Sequence, residues 1–275
     1  MDDGEFARWV DLLERRTGVV VPPGRKTFLV TGVRSRMRET GHQSYREYFE
    51  DLLAGARGQI EWAALVDRLT VHETHFFRHT PSYDFIRNEW LPQHLVRVGA
   101  EPLHAWSVGC STGEEAYSIA MTLDEGIRAC APGKAPLYGV TATDISAPAL
   151  SVGRVGEYPL GKLKEIPASY RNEYWEVLGQ DCFVLCEPLR KRVGFAQFNL
   201  LDIQKAPLKR LDLIFCQNVL IYFARERRGQ LLDAMAQLLK PGGLLVVGPG
   251  EVLGFNHPLL TRVGGPQTLA FQRKA

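Results

Sequence analysis

A chain of 275 residues with 45% hydrophobic and 23% charged residues and a net charge of +2 has the balance of a globular protein that can bury a full core. The near-neutral charge argues against a nucleic-acid binder, and the lack of an eighteen-residue apolar run argues against membrane insertion. The acidic Met1-Asp2-Asp3-Gly4-Glu5 start lacks the basic character of a signal peptide, so a cytoplasmic location is expected. Five cysteines, at 110, 130, 182, 186 and 216, form no Cys-x-x-Cys pair and read as reduced thiols, with no metal site expected.

From Glu5 to Leu69 apolar residues recur at helical spacing, as in Phe6, Trp9, Val10 and Leu13, then Phe28 to Arg38, Tyr45 to Leu52 and Ile60 to Leu69. Breaks at Val21-Pro22-Pro23-Gly24, Gly41 and Gly55 to Gly58 divide the stretch into a small all-helical unit. Its second helix carries Arg34, Arg36 and Arg38, which form either a solvated basic face or a docking surface for an acidic partner. His72, His75 and His79 then follow at i, i+3 and i+7. They would share one side of a continuous helix, but this is not the His-Glu-x-x-His spacing of a zinc protease. Thr74 and Arg78 lie in the same stretch, where a loop can fold over a ligand.

Leu103 to Val108 reads as a strand and Glu115 to Leu123 as a helix, so Val108-Gly109-Cys110-Ser111-Thr112-Gly113-Glu114-Glu115 is a strand-to-helix turn. Gly109 and Gly113 let its backbone take positive φ and approach a ligand closely. The helix start suits a carboxylate, while two adjacent acids would repel a phosphate; one of them can hold an ammonium. An amino-acid zwitterion fits both features, and S-adenosylmethionine (SAM) carries one.

A second strand, Ala135 to Thr143, ends in Asp144, about 35 residues after the first glycine. In a nucleotide-binding α/β fold an acid there holds ribose hydroxyls, and Asp144 can also cap the helix that follows. Residues 153–195 read as an insertion: a helix from Pro167 to Leu178, and short antiparallel strands around Cys182 to Cys186 and Arg190 to Phe195 whose edge can take an extended peptide. Phe195 to Leu201 forms a third core strand and its loop, which bring Asn199 and Leu200 to the side of Asp144. The apolar run Leu211 to Cys216 is a strand covered on both faces, with Gln217, Asn218 and Tyr222 at its ligand-facing end. Ala224 to Lys240 is helical, stopped by Pro241-Gly242-Gly243; Leu244 to Val247 is strand five, and Leu259 to Gln272 a closing hairpin.

Taken in order, Thr74-x-Phe76-Phe77-Arg78, Ser111 to Met121, Ala142-Thr143-Asp144-Ile145, Asn199-Leu200, Ile214 to Phe223 and Leu239 to Leu244 resemble the CheR-type chemoreceptor glutamate methyltransferases over nearly the whole chain. The resemblance implies an α/β, Rossmann-like SAM-dependent methyltransferase fold. It has a mostly parallel seven-stranded sheet in residues 81–275, an N-terminal helical domain and linker in 1–80, and a small inserted antiparallel β-subdomain in 153–195. It implies SAM as cofactor and S-adenosylhomocysteine as product. His72, Thr74 and Arg78 would lie on the cofactor-side loop, Glu115 on the methionine ammonium, Asp144 on the ribose, Asn199 and Leu200 at the adenine, and Gln217 and Asn218 at further contacts. Arg78 and Tyr222 would stand nearest the transferred methyl.

As partner the resemblance implies the cytoplasmic helical region of chemoreceptors, met by the basic N-terminal helix and the β-subdomain of a monomer. Four features depart from the family pattern. His72 stands where many relatives have Asn and Gln217 where many have Arg; Gly248-Pro249-Gly250-Glu251 replaces Gly-His-Ser-Glu; and the loop Leu178 to Cys182 is short, as in relatives independent of a receptor tail. The expected reaction is attack of a glutamate carboxylate on the sulfonium methyl, a nucleophile already ionised at neutral pH that needs alignment more than a strong base. The rival readings are a methyltransferase for another acceptor and a SAM-binding sensor without turnover. A dinucleotide oxidoreductase is disfavoured because the turn is not Gly-x-Gly-x-x-Gly.

Overall fold

The computed structural model describes residues 1–99, 101–133, 135–170, 173–252 and 254–274. Helices α1 (Asp3–Thr17), α2 (Lys26–Thr40), α3 (Tyr45–Leu52) and α4 (Gly55–Leu69) form the N-terminal unit around Trp9, Leu29, Val33, Tyr48 and Leu65. A capping box between Asp2 and Glu5 starts α1, and Gly18 in the left-handed region ends it. Gly32 lets α2 lie against α4, since a Cβ there would meet Leu69 at 2.5 Å. Arg36 does not belong to a free basic face. Its guanidinium turns inward onto Glu61 of α4 at 2.7 Å and pairs with Glu39, whereas Arg34 and Arg38 stay exposed. Burial opposes ionisation of Glu61, but bonds from Arg36 and the Tyr48 hydroxyl outweigh it and hold its carboxyl below the usual value.

The segment 71–79 is not helical, so the three histidines do not share a side. His72 bonds the end of α4, His75 lies between Glu73 and Glu165, and His79 bonds Ser82. Helix α5 (Thr80–Phe85), a π turn at Ile86–Trp90 and α6 (Leu91–Val98) then lead to the α/β part. There β1 (Leu103–Val108), α7 (Glu114–Cys130), β2 (Tyr138–Asp144) and α8 (Ala147–Val155) precede the insertion.

The insertion holds β3 (Glu157–Pro159), β4 (Trp175–Leu178) and β5 (Cys182–Leu185), an antiparallel sheet in the order β3-β5-β4. The expected helix over Pro167 to Leu178 is therefore corrected: its second half is a strand. Gly179, at φ +66°, turns the chain so that Leu178 pairs with Cys182 and Trp175 with Leu185, and this cross-strand pairing overrides the local helical spacing.

After α9 (Glu187–Arg190), the chain continues through β6 (Val193–Gln197), β7 (Leu211–Cys216), α10 (Arg225–Leu238), β8 (Leu239–Val247), β9 (Leu260–Val263) and β10 (Leu269–Arg273). The strand near Arg190 to Phe195 is thus part of the main sheet, paired parallel to β2. Strand β8 starts at Leu239, so Pro241-Gly242-Gly243 is a bulged start to that strand and not a stop after the helix; the register shifts between Leu211 and Leu213.

Among the described residues the main sheet has seven strands in the order β6-β2-β1-β7-β8-β10-β9, parallel except where β10 runs antiparallel to its neighbours. Alternation along β7 builds two cores. Leu213 and Phe215 face α7, while Ile214 and Cys216 face α10. Both faces are covered, which is why the strand reads as an unbroken apolar run.

Candidate functional site

Strands β1 and β2 finish level, with Val108 paired to Thr143, and their carboxyl ends open into a cleft of about 290 Å³ between the sheet and the N-terminal unit. Such a crevice at the ends of parallel strands is where open α/β sheets bind ligands. His72, Thr74, Arg78, Gly109, Glu115, Asp144, Asn199, Leu200, Gln217, Asn218 and Tyr222, drawn from five separate stretches of sequence, all line it.

The β1–α7 turn sets the cleft floor. Gly109 has φ +70° and a Cβ there would lie 2.4 Å from Val219; Ser111, not a glycine, is held at φ +49°. That strained position is fixed from both sides: the Ser111 amide donates to Asp144 Oδ2 at 2.8 Å and its hydroxyl to the His72 carbonyl at 3.2 Å. Asp144 also accepts from the Ser146 amide at 2.9 Å, but the side chain that caps α8 is Ser146, which accepts from Ala149. Of Asp144's two expected roles, the helix cap is thus taken by its neighbour.

The two acids of the turn part company. Glu114 is buried, accepts from the Thr112 hydroxyl at 2.6 Å and pairs with Lys162 of the insertion. Glu115 lines the cleft, and among the described residues it has no cationic partner at ion-pair distance; the Ser107 hydroxyl donates to it at 2.6 Å. Burial pushes its carboxyl well above the usual range, the Ser107 hydroxyl and the charge of Arg78 pull the other way, and the charges of Glu251 and Asp144 add to the rise.

Asn199 is committed to scaffolding more than expected. Its amide donates to the Arg16 carbonyl at the end of α1 at 2.7 Å, and its oxygen accepts from Leu201 at 3.1 Å. Gln217 donates to Ser82 at 3.0 Å and to the Val247 carbonyl at 3.3 Å. Asn218 sits at φ +60° because its amide is drawn to Glu251 at 2.9 Å. Glu251, buried and bonded as well by the Gly248 and Ile221 amides, shapes this loop. Its carboxyl is raised by burial against those bonds. The sequence marked Glu251 only as following a Gly-Pro-Gly turn.

At the cleft mouth Arg78 is exposed and donates to the Glu73 carbonyl at 2.9 Å. Tyr222 also lines the cleft, with the Arg25 guanidinium 5.8 Å over its ring. Arg25, Val19, Val21 and Phe28 bring the N-terminal unit into the wall, a contribution that periodicity alone did not reveal.

Residues 72–268 match the family model described as the CheR methyltransferase SAM binding domain, and residues 4–70 match the CheR methyltransferase all-alpha domain. The chain belongs to the CheR methyltransferase family. Among its relatives, the chemotaxis protein methyltransferase of Borreliella burgdorferi is 31% identical over 93% of this chain and 90% of its own length. Chemotaxis protein methyltransferase 2 of Pseudomonas aeruginosa is 33% identical over 94% and 90%. That of Vibrio parahaemolyticus is 32% identical over 92% and 90%.

CheR membership makes this a SAM-dependent methyltransferase of chemotaxis. The cleft fits that cofactor on its own features: a turn whose Gly109 packs against Val219 too closely for a Cβ, and a half-buried carboxyl, Glu115, with no cation at ion-pair distance among the described residues.

Proposed function

We propose that this CheR-family enzyme methylates glutamate side-chain carboxylates on the cytoplasmic helical region of a chemoreceptor, giving glutamate methyl esters and S-adenosylhomocysteine. The observation that carries the reading is the cleft mouth: among the described residues Arg78 has no acidic partner, and the Tyr222 hydroxyl has no hydrogen-bond partner. A guanidinium left without a carboxylate at the opening of a SAM cleft suits a carboxylate acceptor, which it can hold bidentately.

Bound SAM supplies an electrophilic methyl. The chain's own work is orientation: Glu115 takes the ammonium, the Gly109 turn and Asp144 take the methionine and ribose portions, and Asn199, Leu200, Gln217 and Asn218 border the adenosine. Arg78 holds the acceptor carboxylate in line, and Tyr222 fixes its approach by its hydroxyl. A carboxylate is ionised at neutral pH, so alignment in a water-poor cleft replaces a strong base. The relatives' role in chemotaxis supports a receptor as acceptor. The exposed Arg34 and Arg38 and the small β-sheet supply the docking surfaces of a cytoplasmic monomer that needs no receptor tail.

The test is methyl transfer to a receptor cytoplasmic fragment, read as base-labile label. Arg78→Ala is expected to lower kcat by about 10²–10³-fold, the range for removing one positioned electrostatic contact, with S-adenosylhomocysteine affinity within about threefold. Equal losses in both would contradict the role of Arg78. Binding without any transfer by the unmodified protein would favour a sensor or another acceptor.

A further inference from the structure

The insertion does not hang from the catalytic domain by its two chain connections alone. Directly after β3, residues Leu160–Glu165 form a 3₁₀ turn, in which side chains three apart stand on one side. Lys162 and Glu165 are such a pair, and both reach segments that border the cleft. Lys162 pairs with Glu114 of the β1–α7 turn and donates to the Thr74 carbonyl at 3.2 Å; Glu165 accepts from the Phe76 amide at 3.0 Å. The Tyr158 hydroxyl of β3 donates to the Thr112 carbonyl at 2.8 Å. These contacts fall on the turn that floors the cleft and on the segment that carries Arg78.

We propose that Lys162, supplied by the inserted subdomain, is a positioning residue for SAM: it neutralises Glu114 and so leaves Glu115 as the turn's acid facing the cleft. The proposal rests on the reading of Glu115 as the ammonium contact. Glu114 is 1% exposed and its other oxygen is held by Thr112, so without Lys162 a buried carboxylate stands beside Glu115 with no compensating charge. The turn cannot relax away from the cleft. A Cβ on Gly113 would already lie 3.0 Å from both the Gly153 Cα and the Phe195 ring, so the space behind the turn is filled. Displacement is therefore directed toward Ser111 and Glu115, the groups that shape the ligand site. Lys162 lies 48 residues from Glu114 in the chain, and the same lysine touches the Thr74 carbonyl, so one cation holds two walls of the cleft in register.

Calorimetric titration with S-adenosylhomocysteine and steady-state methyl transfer test this on four variants. Lys162→Met is expected to weaken binding about tenfold, equivalent to ~1.4 kcal/mol, and to raise KM for SAM by more than kcat falls. Lys162→Arg keeps the charge and should stay within about threefold of the unmodified protein. Lys162→Met combined with Glu114→Gln removes both charges and should recover affinity to within about threefold, which a merely structural lysine would not do.

Unchanged affinity in Lys162→Met, or no recovery in the double variant, overturns the proposal. If Lys162→Met does not fold, the double variant decides alone: it binds, or the proposal fails. Glu115→Gln is run alongside. Full affinity there removes the ammonium reading, while the coupling between 114 and 162 is still read from the recovery in the double variant.

Discussion

The two ends of the main sheet treat their inward-facing acids in opposite ways. At the amino end of β7, Asp212 is wholly buried, yet it is compensated on every side: His94 at 2.9 Å, the His104 amide at 2.8 Å and Lys240 at 2.9 Å. Burial opposes its ionisation, and those bonds outweigh it and hold the carboxyl below its usual value. At the carboxyl end, Glu115 has a serine hydroxyl and no cation at ion-pair distance among the described residues, and its carboxyl is pushed up. One end is finished as a protein interior; the other is finished only by a ligand. Charge left uncompensated in a cleft is thus a better marker of the site here than burial or polarity alone.

The contrast makes different demands at the two ends. The largest effect belongs to Asp212→Ala, which strands Lys240 and His94 and should cost about 3–5 kcal/mol in urea unfolding while leaving S-adenosylhomocysteine affinity of the folded protein within about threefold. Lost affinity with unchanged stability would reverse the assignment of the two ends.

Next is Glu115→Gln, expected to weaken S-adenosylhomocysteine about 10–100-fold, as for loss of a charge-assisted bond. The same variant carries a pH signature. A carboxyl raised in the folded state contributes stability that is present below the ordinary glutamate value of 4.5 and lost as pH rises through the folded value. The ligand-free protein should therefore lose stability as pH rises above 4.5, and stabilisation by bound SAM should grow over that same interval. Glu115→Gln should flatten both curves in thermal unfolding. Asp212 acts in the opposite sense, its stability being lost as pH falls toward its lowered value. The smallest effect is Tyr222→Phe, which should lower kcat about 2–10-fold, the worth of one hydrogen bond, with no change in S-adenosylhomocysteine affinity.

What could be read in advance was what short-range chemistry dictates. The glycine turn from Val108 to Glu115, the apolar run of β7 and the closing hairpin each carry a local signal, and the site residues on the turn and just beyond β7 converge on one cleft. The failures share a cause, namely partners distant in sequence. Trp175–Leu178 reads as the end of a helix from Pro167, and only pairing across Gly179 makes it extended. Arg36 looked like a surface cation until Glu61 was brought against it. Glu114 is taken up by Lys162 while Glu115 lines the cleft, and nothing around Lys162 in the sequence announces that pairing.

The N-terminal unit meets the catalytic domain at a main-chain joint. Gly18 is at φ +76°, where a Cβ would strike Phe223 at 2.6 Å; just beyond it Val19 bridges Phe223, and the Val20 amide donates to the Tyr222 carbonyl at 2.8 Å. The stretch that ends the first helix is thereby spliced onto the loop that presents Tyr222, with Asn199 holding the Arg16 carbonyl alongside. For anyone grafting the helical unit of one relative onto the catalytic domain of another, the seam is not the single crossing near residue 70. It runs through Gly18 to Val20 and their counterparts at Tyr222 and Phe223, and a chimaera that carries only one half of that joint will carry a cleft mouth of the wrong shape.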